Sequence, residues 1–373
     1  MTGMAPPVGY SFMHKSLKFV GQGQKMFMST LKARVDNYFR ERKISRHANP
    51  FMVFKTIFFL SVTVLLYLLI ISSVFPLLVS LLLASLIGIS MAFVGFNVCH
   101  DAIHGAYSSN KKVNRVLGLV FNLIGANAYV WSLTHNLVHH SYTNIIDHDE
   151  DIEIAPGLIR ISAADRANKI QRYQHVYAFF LYSLTTLSWF FRKDYVKFFQ
   201  GSIGKSHVNK HPRIEYFNLF FYKIVYYFLF IVLPLIVMDI SWWQFLIGFL
   251  VMHFSESLVL GLVFQLAHVV ENTDIRHATP ESTMQDSWAA HQLRTTANFA
   301  PDNAFAAFFC GGLNMQIEHH LFPRVCHIHY RSISGIVKET AAEFGLPYHV
   351  NRTFGGALRS HYLLLKKWGR TAA

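Results

Sequence analysis

From Thr56 to Cys99 the chain runs 44 residues without one Asp, Glu, Lys, Arg or His. At ~1.5 Å rise per residue this makes roughly 66 Å of helix, enough to cross a ~30 Å hydrocarbon core twice. Pro76 stands near the middle and divides it into expected spans over 57–75 and 77–98. A second hairpin is expected over 216–238 and 242–266. Its turn holds Asp239 but no Lys or Arg, and Trp242 and Trp243 suit an interfacial belt. Lys223, near the inner end of its span, is expected to snorkel toward the headgroups. Only 15% of the residues are charged, against roughly 25% in soluble domains. A soluble globule and a disordered chain are therefore excluded. The apolar runs are continuous, where barrel strands would alternate.

Residues 1–50 hold nine Lys or Arg against two acids, Asp36 and Glu41. The positive-inside rule puts this segment in the cytoplasm. The first span follows a long basic stretch, so it reads as an anchor rather than a cleaved leader. The net charge of +13 suits segments facing anionic lipid. No nucleic-acid-binding motif accompanies it, and no nucleic-acid partner is expected. The three cysteines form no CxxC, so neither a disulfide framework nor a thiolate metal site is expected. The chain divides into a basic segment 1–50, a membrane domain 51–348 and a tail 349–373.

The 21 histidines cluster. His100 and His104 stand four apart, which puts both rings on one helix face. His135 and His139 share a face in the same way, with His140 turned away toward a second metal ion. Gln316, His319 and His320 converge at i, i+3 and i+4. His268 ends the fourth span. Eight histidines and a glutamine are too many for one four-coordinate ion and suit two ions with four or five ligands each. Imidazole accepts Fe, Zn, Cu or Ni. All these groups must meet on one membrane face. The two apolar stretches 116–131 and 176–191 must then lie in-plane or re-enter, because a crossing by either would separate the clusters. The fold expected is an all-α integral membrane protein: two transmembrane hairpins, four spans, both termini inside, and a cytoplasmic helical cap holding the metals.

HDAIH, HNLVHHSYTN and QIEHHLFP resemble the three histidine boxes of the integral-membrane fatty acid desaturases. The likeness runs in order from about residue 30 to about residue 348. A third box that begins with Gln resembles the front-end desaturases, which insert a double bond between an existing one and the carboxyl end. The resemblance implies a non-haem di-iron enzyme that uses O2 and two electrons per turnover on a long-chain acyl-CoA or acyl-lipid. It carries metal ligation onto His100, His104, His135, His139, His140, His268, His319 and His320. Gln316 takes the place of a family histidine. The family also holds a ligand through water from an amide near the fourth-span histidine, here Gln265 or Asn272. No HPGG haem motif is present. The chain thus resembles bacterial acyl desaturases served by a separate ferredoxin or cytochrome b5-like carrier with its reductase, at the bacterial inner membrane.

Asp101 and the acidic run Asp147, Asp149, Glu150, Asp151 and Glu153 are candidates to orient the imidazoles. A solvated loop is the other reading of that run. Glu318 reads equally as a local ion pair. His327 and His329 read as structural or supporting. Ala84, Gly88 and Ala92 step by four toward His100. They either let helices approach closely or leave a channel for the acyl tail, and the channel is the expectation tested below. His253 and Glu256 are polar at membrane depth. His253 is roughly 22 Å along the helix from His268, too far for the same metal. It suits an interhelical hydrogen bond or a tunnel wall. A membrane di-iron hydroxylase is the rival activity. A metal transporter would place its ligands at the midplane instead of at span ends.

Overall fold

The computed structural model describes residues 17–21, 25–152, 155–162, 167–201, 210–279 and 282–371. Glu153, part of the acidic run, lies outside them. Among the described residues four helices are long and apolar enough to cross a membrane: Pro50–Ile71, Leu77–Ile103, Arg213–Val237 and Trp242–His268. These are the two expected hairpins, and the protein is a multi-span membrane protein. Helix starts are set locally. Asn49 Oδ1 accepts from Met52 N at 3.0 Å, with Pro50 in the first turn. Gln244 Oε1 accepts from Ser241 N at 2.8 Å to start the fourth span. Outward faces remain apolar and exposed, as at Leu78 and Ile236, which is what lipid contact requires.

The second and fourth spans meet closely. A Cβ on Gly88 would collide with the carbonyl oxygen of Met252, and Ser85 and Ser255 hydroxyls bond across at 2.8 Å. Small residues make this approach possible. The expected acyl channel therefore does not run along Ala84, Gly88 and Ala92. Gly88 faces backbone, and Ala92 is buried in one core with Val263, Leu266 and Ala267. Ala84 borders a cavity of about 240 Å³ between the outer halves of the spans, on the far side of that contact from the histidines.

The first ambiguous stretch belongs to two helices, Lys111–Leu123 and Ala128–Tyr142, bent by 111°. Gly125 makes the bend at φ 109, where a side chain would strike Phe190. Asn122 and Asn127 side chains accept from Ala128 N and Val130 N to start the second arm. The second stretch breaks into Gln174–Tyr182 and Thr185–Ser188. Gln174–Tyr182 is about 14 Å long, well short of a ~30 Å hydrocarbon core. Both stretches are bent or broken, which is the arrangement the single-face argument asks for.

Lys223 does not snorkel. It is buried, and its Nζ donates to Gly125 O at 2.6 Å, Phe190 O at 2.7 Å and Asp194 Oδ2 at 2.7 Å. One ammonium thus pins the re-entrant bend and the broken segment to the third span. His253 makes the interhelical bonds: Nδ1 with Thr186 Oγ1 at 2.9 Å and Nε2 with Tyr226 OH at 3.0 Å. The N-terminal helix Lys25–Glu41 shares a core with the cap through Phe27, Leu31, Val35 and Phe39. The expected tail holds a strand, His349–Asn351, paired in parallel with Ala297–Phe299, and a helix, Phe354–Arg370.

Candidate metal centre

Each histidine box is delivered by a local irregularity. The second span opens into a π-helical turn at Gly95–Cys99 immediately before His100, and the second box lies in another, Ser132–His139. Such wide turns concentrate at functional sites. The third box is the short helix Gln316–Leu321. It is reached through Gly311 (φ 59) and Gly312 (φ 71). Side chains there would strike Phe96 O and the His327 Cβ. Asn97 Nδ2 donates to Phe309 O at 2.9 Å and locks this loop onto the first box. Glu318 forms no ion pair among the described residues; it accepts from Tyr348 OH at 2.7 Å and Asn298 Nδ2 at 2.8 Å. Burial pushes its carboxyl up to about 7.

These elements bring all eight predicted histidines into one buried cluster. Their ring nitrogens sort into groups close enough to share an ion: His100, His104, His135 and His319; His139, His268 and His320; and His140, His319 and His320. The second box is thus divided differently from the helical-wheel reading. His135 and His139 stack 5.0 Å apart at 19°, yet they face different groups. The π-helical winding between them breaks the α-helical register on which the shared-face reading rested. His140, with His319 and His320, bridges the two groups.

Five outward ring nitrogens find oxygen. His139 Nδ1 donates to Asp149 Oδ2 at 2.9 Å, and His135 Nδ1 to Asp151 Oδ2 at 3.4 Å. His320 Nδ1 donates to Gln292 Oε1 at 2.8 Å, His268 Nδ1 to Thr295 O at 3.4 Å, and His319 Nδ1 to the Tyr330 hydroxyl at 3.2 Å. Inward nitrogens do not. Nε2 of His100, His104, His139, His268, His319 and His320 is buried without a hydrogen-bond partner among the described residues. Buried polar atoms are rarely left so. Burial, reinforced by neighbouring imidazoles, holds His319 and His320 far below the ordinary histidine range, so they stand neutral, the form that binds metal. Two groups of imidazoles with inward ring nitrogens fit two metal ions.

The remaining candidates divide. Asp149 reaches His139, and Asp101 lies 3.7 Å from His100 Nδ1. Asp147 is exposed on a turn at φ 63 and reaches no histidine of the cluster. Asn272 is exposed beyond the end of the fourth span. Gln265 is buried one turn before His268, and its Nε2 has no hydrogen-bond partner among the described residues. Gln316 is buried beside His268, and its Oε1 has no hydrogen-bond partner among the described residues. Sequence reading missed Gln292, Thr295 and Tyr330. Each meets its histidine by tertiary packing and shows no spacing signal. It also missed Trp131, which stacks on His135 at 4.2 Å and could have been suspected from its place four residues earlier.

Fold and site together define a mostly helical membrane protein with a buried polyhistidine centre at one end of four spans. The chain belongs to the fatty acid desaturase family, which it matches over residues 75–352. It is 37% identical to the sn-1 linoleoyl-lipid 6-desaturase of Synechocystis over 93% of this chain and 96% of that protein. It is 37% identical to the acyl-lipid (8-3)-desaturase of Physcomitrium patens over 96% of this chain and 75% of that one. The sn-1 linoleoyl-lipid 6-desaturase of Arthrospira platensis is 34% identical over 91% and 92%.

Proposed function

We propose that this chain is an O2-dependent front-end acyl desaturase that places a cis double bond in a long acyl chain. The observation that carries the reading is the set of buried, unpartnered Nε2 atoms facing one another in two groups. The names of the similar proteins favour an acyl chain esterified to a membrane lipid over acyl-CoA. His100, His104, His135 and His319 would hold one iron. His139, His268 and His320 would hold the other, with His140 between them. Bound there, the metal pair supplies the oxidising chemistry that takes hydrogen from an unactivated methylene. The reaction balances as –CH2–CH2– + O2 + 2 e⁻ + 2 H⁺ → –CH=CH– + 2 H2O. The electrons would come from a ferredoxin or cytochrome b5-like carrier and its reductase.

The protein's own part is to hold eight imidazoles, to keep water away and to place the methylenes. Trp131 and Phe264 wall the imidazoles. Gln316 offers a free amide oxygen beside His268. The active site and both termini would face the cytoplasm of a bacterial inner membrane. Expression in a host that lacks polyunsaturated lipids, supplied with linoleoyl lipids, tests the reading. Fatty-acid mass spectrometry should show a product two hydrogens lighter than its substrate. A product one oxygen heavier would make the chain a hydroxylase. No product from an iron-loaded enzyme with a working reductase would sink the proposal.

A further inference from the structure

Lys55 lies one and a half turns into the first span, yet it is only 1% exposed. An ammonium buried there is costly, and its partner should tell what it is for. Its Nζ is 2.9 Å from His327 Nε2. Lysine only donates, so Nε2 accepts and the ring proton resides on Nδ1. That Nδ1–H donates to Asp101 Oδ2 at 2.9 Å, and the His327 backbone N–H donates to the same oxygen at 3.0 Å. Two donors on one oxygen stop the carboxylate from turning. Its other oxygen, Oδ1, is left 3.7 Å from His100 Nδ1. His100 Nδ1 has no hydrogen-bond partner among the described residues, whereas the outward nitrogens of His135, His139, His268, His319 and His320 each have an oxygen within 3.4 Å.

We propose that Lys55 and His327 are positioning residues that act through Asp101 on His100, and so on one of the two metal positions alone. The inference rests on the two-iron reading above. Lys55 fixes the tautomer of His327, His327 fixes the rotamer of Asp101, and Asp101 sets the direction of His100 and the charge beside it. Partners of this kind orient a ligand and raise its donor strength. The lysine balances the acid's charge through the ring, so the buried chain carries no net charge. The effect is confined to one group because His139, His268 and His320 are held by Asp149, Thr295 and Gln292 on other elements. Asp101, His327 and the Cys326 thiol also lie close enough to hold an ion, but the ammonium on His327 Nε2 disfavours a cation there.

The test uses the full-length enzyme purified in detergent, loaded with iron-57 and examined by Mössbauer spectroscopy, with iron per chain and melting temperature measured alongside. Wild type should hold two irons; fewer would overturn the two-iron reading and this inference with it. In Lys55→Met and His327→Phe the signal of one iron should change and the other stay, with affinity at the changed site falling about 10–100-fold. His327→Asn should restore the wild-type signal, because its Nδ2–H replaces the ring's donor to Asp101. A purely structural role predicts the reverse order, since Phe keeps the ring's volume and Asn leaves a hole. If Lys55→Met fails to fold, the Phe and Asn pair decides alone. Two irons with unchanged signals in His327→Phe would overturn the inference and leave the two-iron reading intact. So would a third metal equivalent in wild type that is lost from His327→Asn.

Discussion

His139 is held from outside by one short bond to Asp149, whose Oδ2 also accepts from Asn144 N at 2.9 Å. Asp149→Asn keeps the size of the side chain but weakens the acceptor. Metal affinity or turnover should fall about 10–100-fold, read as iron per chain and as product. Asp147→Asn, two residues away and exposed, should leave both unchanged. Equal effects would mean that the acidic loop acts only by its overall charge. Gln316→Ala should lose most product formation, since a buried amide with a free oxygen beside His268 has no packing reason to be polar. Wild-type turnover in that variant would reduce Gln316 to filler. The histidines were legible in the sequence because ligation forces them into fixed spacings on short segments. Gln292 and Tyr330 were not, because each meets its imidazole across the fold. Asp149 was legible only as one acid among five, and the turn that exposes Asp147 while burying Asp149 selects between them.

Spans and their ends were readable because hydrocarbon excludes charge over a fixed length. What packs between them was not. Lys223 is one basic residue in an apolar run, and its sequence says nothing of Asp194 or of the two carbonyls it gathers. Lys223→Met leaves the Asp194 carboxylate buried without its cation. Such losses cost about 3–5 kcal/mol, so thermal unfolding in detergent should move to markedly lower temperature. The double variant Lys223→Met with Asp194→Leu should recover part of the loss. If the single variant melts like wild type, the re-entrant bend is held by something else. Gly88 gives the complementary case. Small residues at steps of four fit a channel or a close contact equally, and the Met252 carbonyl decides for contact. Gly88→Phe should therefore lower the yield of folded protein and all chain lengths of product alike. A selective shift to shorter acyl chains would restore the channel.

At the scale of the whole molecule, one constraint organises the rest: the eight clustered histidines must reach the same end of the bundle. The first and third spans begin at that end, and the second and fourth finish there, at His100 and His268. The described segments that follow His104 and His268 then stay on that side, and the two apolar stretches after His104 bend or break instead of running straight. Thiol labelling reads this directly. The three native cysteines are buried, so a membrane-impermeant maleimide meets little background. Ser73→Cys and Asp239→Cys, on the exposed turns of the two hairpins, should label from one side of the membrane only. Lys112→Cys, Arg192→Cys and Arg352→Cys, exposed on the histidine side, should label from the other. That other side is the one proposed above to face the cytoplasm. Arg192 is the decisive position, because it ends the stretch that could nearly span. If Arg192→Cys labels together with Asp239→Cys, that stretch crosses, the second box is parted from His268, and no single metal centre can form.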